Sequence, residues 1–271
     1  GYIASISNWA SKNDLNMNDL WSDKSDYEIH HFIGEDIAYF HGLFWPALLD
    51  SAGFKLPDGI NVHGFLTING EKMSKSKGTG ILARDFVKIT NPETLRYYFA
   101  AKLNNKVEDI DLNFDDYVQR INSDLDGKYL NIASRSASFL KKNKNVISED
   151  INHDVLKNLV EKKNIIIDLY DSKQYSKLVR IIMDLADDIN KYINEETPWK
   201  KDNQEAVTIA STAINAFKIL SIYLHPIIPN ITKEAFKFLN IDSSSIDDVD
   251  KILTNKINNY KQQFKINCAT E

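Results

Sequence analysis

Near Asn113 the texture of this chain changes, and that change constrains the fold more than any other feature. Upstream, short β-rich runs alternate with helical ones and aromatic residues are dense, a pattern that reads as α/β. From Phe114 onward, apolar residues recur at three- and four-residue spacing without another convincing strand, which reads as a helix bundle. At 271 residues the chain can hold two domains of ordinary size, each with its own core. The expected organisation is therefore α/β over 1–113, then all-α over 114–271.

In the first part, Ile29 to Ile33 suits a short buried strand, Ile37 to Ala52 a helix and Ile60 to Ile68 another strand. Asn69-Gly70 is a strong tight-turn signal. Pro92 starts a helix well behind Asn91 as its cap, and Leu95, Tyr98 and Phe99 should pack that helix back on the sheet. In the second part, Val155, Leu159, Ile166 and Tyr170 form one helical stripe, and Leu178, Ile182, Leu185, Ile189 and Tyr192 another that Pro198 ends. Further helices are expected from Gln204 to Leu224 and from Thr232 to Leu239, with Ser243 to Asp250 as a polar linker or loop and a frayed tail.

Thirty-three basic against 38 acidic side chains give a formal charge of −5. Sequence-independent affinity for nucleic acid comes from many lysine and arginine contacts to phosphate, so any RNA contact must be local and shaped. The single Cys268 excludes an internal disulfide and a cysteine-based zinc site. No apolar run approaches the ~20 residues needed to cross a bilayer, and the N-terminus lacks a signal-peptide pattern. The expectation is a cytoplasmic protein with no membrane partner and no metal ligands of its own.

Four groups of residues carry possible chemistry. Lys72, Met73, Ser74, Lys75 and Ser76 put two ammonium groups on a short polar loop after a strand, which suits phosphate, though a lysine and serine stretch by itself more often describes a solvated loop. Gly34, Glu35 and Asp36 follow a strand; a glycine there allows close backbone approach and a carboxylate can accept from ribose hydroxyls, while the same triplet also suits a helix N-terminus. Phe40, His41, Phe44 and Trp45 share a helix, as core or as a soft aromatic pocket. Asn131 and Arg135, four apart, project from one helix face as a binding pair or a polar surface patch.

The phrase HGFLTINGEKMSKSKGTGILARDF resembles the second signature of class I aminoacyl-tRNA synthetases, in its methionyl-tRNA synthetase version. FIGEDIAYFHGLFWPALL from Phe32, PETLRYYFAAKL from Pro92 and RINSDLDGKYLNIASR from Arg120 resemble the same family, and the resemblance runs from Gly1 beyond Trp199. It implies the C-terminal half of a Rossmann-type catalytic domain followed by an α-helical anticodon-binding bundle. The implied activity is ATP-dependent activation of L-methionine, with Mg2+, and its transfer to tRNA(Met). Lys75 would bind the ATP phosphates with Lys72 supporting the loop, and Asp36 with Gly34 would bind adenosine. His41 and Tyr2 would contact the methionine sulfur, with Phe40 and Trp45 as pocket walls. Asn131 and Arg135 would read the first base of the CAU anticodon, a cytosine, and Trp199 would stack on a base.

The sequence departs from the family pattern in three respects. Class I synthetases pair the lysine loop with an earlier HIGH-type motif, and neither His30-His31 nor His41-Gly42 fits it; the family's zinc knuckle has no counterpart here either. Gly80 stands where a bulky apolar residue commonly follows the matching threonine. The expectation is a C-terminal portion of such an enzyme, inactive on its own: an anticodon-binding fragment, or one half of a split enzyme that a separate N-terminal catalytic half completes.

Overall fold

After two short helices, α1 (Tyr2–Lys12) and α2 (Met17–Trp21), the run His30–Gly34 alternates side chains and forms strand β1, with His31 and Ile33 inward and His30 and Phe32 outward. In the computed structural model, residues 1–72, 80–242 and 245–260 are described. They group into two units, Gly1–Thr67 with Lys106–Asp111, and Ile68–Asn105 with Leu112–Glu271. This division differs from the change of texture at Phe114, because Ile68–Asn105 groups with the helical half.

In the first unit β1 pairs in parallel with β2 (Gly59–His63), from His30 opposite Gly59 to Gly34 opposite His63. The helix expected over Ile37–Ala52 winds in three ways: a 3-10 turn over Glu35–Ile37, a π-turn over Phe40–Phe44, then α3 (Trp45–Ser51). The single strand expected over Ile60–Ile68 is interrupted at Gly64. There the backbone of Glu108 passes so closely that an added Cβ would lie 2.4 Å from its carbonyl carbon and oxygen. The Phe65 N–H turns aside to donate to Asp109 Oδ1 at 2.7 Å.

The chain resumes as β3 (Leu66–Ile68), and a hairpin joins it to β4 (Glu71–Lys72); the strand order with β5 (Ile110–Leu112) is β4-β3-β5. Asn69 and Gly70 both have positive φ, 48° and 81°, the pattern that the expected tight turn requires.

In the second unit, α4 (Ala83–Ile89) and α5 (Pro92–Lys102) precede α6 (Phe114–Arg120), a π-helix over Ile121–Leu130, α7 (Asn131–Lys142), α8 (His153–Glu161), α9 (Lys163–Asp171), α10 (Tyr175–Glu196), α11 (Asn203–Leu224) and α12 (Pro229–Leu239). Asn91 caps α5 as expected, accepting from Glu93 N at 2.9 Å. Within its unit α5 packs against α6, α10 and α12, burying Tyr97 as well as Tyr98. Its Glu93, 2% exposed, accepts from the Asn230 and Ile231 N–H groups at 2.7 and 2.8 Å. That carboxylate supplies the cap that no side chain at Ile228 provides, so α12 starts at Pro229 rather than Thr232.

Helix α11 is the centre of this unit, packed on by α7, α8, α10 and α12. Its length and mean hydropathy of 1.5 would suit a membrane span, a longer apolar run than the sequence reading allowed; 94% of its apolar window is buried in the bundle. Ser211 and Thr212 let neighbours approach and accept from the N–H groups of Ser148 and Asn152. Within the expected linker, Ile246–Asp248 forms a 3-10 turn and Val249 is buried; Ser243, Ser244 and the tail with Cys268 lie outside the described residues.

Candidate functional site

In the first unit four of the residues singled out in the sequence meet in one cluster. The π-turn brings this about: its i→i+5 bond runs from the Trp45 N–H to Phe40 O. Residues five apart thereby come to one face, and the Phe40 and Trp45 rings lie 6.4 Å apart at 17°. His41 is 3% exposed, enclosed by Tyr2, His31 and Phe40. Its Nδ1 lies 3.0 Å from Ile37 O, and a carbonyl only accepts, so Nδ1 carries a proton. In the neutral ring Nε2 is then the acceptor, and the Tyr2 hydroxyl donates to it at 2.7 Å.

Sequence reasoning missed His31 and Trp21. The Trp45 indole N–H donates to His31 Nε2 at 3.1 Å, which requires an unprotonated Nε2. Burial, and then the neighbouring His41, lower the His31 pKa, consistent with a neutral ring. Trp21 meets Trp45 edge-on at 6.3 Å and donates to Lys55 O. The signal for His31 was its place beside Ile33 on the inward side of an alternating strand. Tyr2, Trp9, Trp21, Tyr27 and His31 also line a cleft of about 500 Å³. The cluster offers an apolar ligand mainly ring faces and edges, since the Tyr2 O–H and the His41 Nδ1–H are already engaged.

Gly34 ends β1 and Asp36 stands just past it, at the carboxyl end of the strand, where parallel α/β sheets bind ligands. A Cβ on Gly34 would sit 2.6 Å from Asp36 Oδ1, so the glycine makes room for that carboxylate. Asp36 and Glu35 also occupy the first turn of the 3-10 helix, the place that the helix-start reading of the triplet gave them. In the second unit Lys72 ends the hairpin in β4 with an exposed side chain; Lys75 falls outside the described residues.

Also in the second unit, α7 and α10 pair at a constant offset of 59 residues. Lys128, at the end of the π-helix, bonds Asp187 at 2.6 Å; Asn131 Nδ2 donates to Asn190 Oδ1 at 3.2 Å; Arg135 donates to Asn194 Oδ1 at 2.7 Å. The Asn190 amide is itself fixed by donating to Lys128 O and Ala186 O. A 3-10 turn over Pro198–Lys200 brings Trp199, 53% exposed, to 5.8 Å from the Arg135 guanidinium carbon. Asn131, Arg135 and Trp199 thus share one face. Asn190 and Asn194 were missed, although their four-residue spacing on α10 matches that of Asn131 and Arg135 on α7.

Residues 1–137 match the family model of class I tRNA synthetases (M), and residues 152–269 match that of the anticodon-binding domain of tRNA ligases. A methionine–tRNA ligase of Vesicomyosocius okutanii subsp. Calyptogena okutanii (strain HA) is 44% identical over 269 residues, 96% of this chain and 49% of the relative. The chain spans about half the length of that curated relative. The Mycobacterium tuberculosis methionyl-tRNA synthetase solved in complex with methionyl-adenylate aligns with 93% of this chain and 53% of its own, at 26% identity and a TM-score of 0.78. A second structure of that enzyme bound by methionyl-adenylate aligns with 96% of this chain and 55% of its own, at 24% identity and a TM-score of 0.81, and speaks for the fold.

Proposed function

Because the chain belongs to the class I tRNA synthetases of the methionyl type, we propose that it forms part of a methionine–tRNA ligase and carries that enzyme's recognition of the tRNA(Met) anticodon, CAU. Residues 1–113 supply part of the catalytic domain and 114–271 the anticodon-binding domain. The observation that supports this reading best is the α7/α10 pairing, in which Asn131 and Arg135 are held by Asn190 and Asn194 beside the exposed ring of Trp199. Exposed RNA bases are read by stacking on aromatic rings and by hydrogen bonds to their edges. Trp199 takes the stacked base, and Asn131 and Arg135 the edge of the first anticodon cytosine.

In the ligase reaction the methionine carboxylate oxygen attacks the α-phosphorus of ATP, the bond to the β-phosphate oxygen breaks, and pyrophosphate leaves. Methionyl-adenylate remains, and a tRNA hydroxyl then takes the methionyl group as AMP departs. Lys75 stabilises the phosphate charge that develops, a contribution of roughly 10² to 10³ in rate for a preorganised donor, and Lys72 holds its loop. Asp36, with room made by Gly34, accepts from the adenosine ribose. Tyr2, Phe40, His41 and Trp45 form the methionine side of the site, where the thioether meets ring edges. Mg2+ brought with the nucleotide would offset part of the phosphate charge, with few ligands from the protein.

A second reading keeps the RNA recognition without the chemistry: these 271 residues bind the anticodon but do not activate methionine alone, or do so only with a separate polypeptide that brings the histidine motif. Methionine-dependent ATP–pyrophosphate exchange separates the two. Exchange that disappears in Lys75→Ala supports activation by this chain. No exchange, with RNA binding that depends on CAU, supports the second reading, and the loss of both refutes each.

A further inference from the structure

The chain leaves α10 through a residue that two backbone rules disfavour. Thr197 has φ 45° and ψ 58°, the left-handed region. A β-branched side chain is an outlier there, and the residue before a proline ordinarily takes an extended conformation; Pro198 follows. Among the described residues with positive φ, Thr197 is the one with a β-branched side chain, and three of the others are asparagines. Its side chain makes no capping hydrogen bond to account for the conformation. Strain of this kind persists where the surroundings over-determine the backbone, and it concentrates at ligand clamps. Here the surroundings are the buried Pro198 and the Lys200 N–H, which donates to Thr197 O at 2.8 Å. Two residues on stands Trp199, its ring half exposed and set against Arg135.

We infer that Thr197 is a positioning residue for RNA recognition: its left-handed turn fixes the Trp199 ring opposite Arg135 before RNA arrives, so that binding does not have to order it. The inference rests on the reading that Trp199 stacks on an RNA base. Glycine at 197 adopts the same turn without strain but also many others. Asparagine tolerates the left-handed region and keeps a restricted backbone.

The test measures binding of an RNA stem–loop with CAU in its loop, alongside thermal melting, for the chain and for Thr197→Gly, Thr197→Asn and Trp199→Ala. Thr197→Gly is expected to raise the melting temperature by about 2–4 °C, yet to weaken RNA binding roughly tenfold, the factor that corresponds to ordering one freed backbone residue. Thr197→Asn is expected to raise the melting temperature and keep the wild-type affinity. That opposition, with rescue by asparagine, is something a merely structural role would not produce. Wild-type affinity in Thr197→Gly with lost affinity in Trp199→Ala overturns the positioning role and leaves the reading of Trp199 standing. Wild-type affinity in Trp199→Ala removes the reading itself, and the inference with it. A lower melting temperature in both Thr197 variants shows that no strain is stored there and also overturns it.

Discussion

Lys218 sits in the middle of α11 at 4% exposure, and its ammonium donates to the backbone carbonyls of Asp248 and Lys251. Burial lowers its pKa from 10.5 to about 8, against the pull of Asp248 and Asp250. That displacement corresponds to about 3 kcal/mol, an upper figure for a group whose head reaches polar carbonyls. Because the folded value lies below the unfolded one, the unfolded chain binds more protons between them. The cost of burying the charge is therefore present in full below pH 8 and is relieved as pH rises from about 8 to 10.5. Lys218→Met removes the titrating group. The two carbonyls then lose a donor, so absolute stability mixes two effects, whereas the pH dependence isolates one. Urea unfolding at intervals from pH 7.5 to 10.5 should show the native chain gaining about 2 to 3 kcal/mol relative to Lys218→Met. Parallel profiles for the two proteins would refute the claim that a buried ammonium is being paid for in this fold.

Gly64→Ala, whose Cβ would meet the Glu108 backbone at 2.4 Å, should destabilise by about 3 kcal/mol in urea melts. Gly34→Ala should cost less than about 1 kcal/mol, because only the movable Asp36 carboxylate stands in the way. Glu93→Ala strips the acceptor from the Asn230 and Ile231 N–H groups and should cost about 3 kcal/mol; amide hydrogen exchange should place the loss in the first turn of α12.

Much of the helical half was legible because its stripes follow one period and its punctuation, such as Asn91-Pro92, acts within a few residues. The Asn69-Gly70 turn was legible for the same local reason. What escaped was decided at long range. Gly64 breaks a strand because a segment more than 40 residues later crosses it. The start of α12 is set by Glu93, 137 residues before Asn230. The π-turn over Phe40–Phe44 changes which aromatic rings meet, and nothing in an apolar helical pattern distinguishes one winding from the other. In the candidate sites, motif resemblance pointed to Tyr2, His41, Asn131, Arg135 and Trp199. Their supports His31, Asn190 and Asn194 lie on other elements, and residue spacing alone does not say which elements face each other.

The most direct test of the central claim is the affinity of this chain for a stem–loop with CAU in its loop, measured beside the same RNA with its first anticodon base changed from cytosine. Recognition of that base by Asn131 and Arg135 predicts a loss of roughly 10- to 100-fold, the range for leaving such polar groups unpaired. Equal affinity for the two RNAs would contradict it.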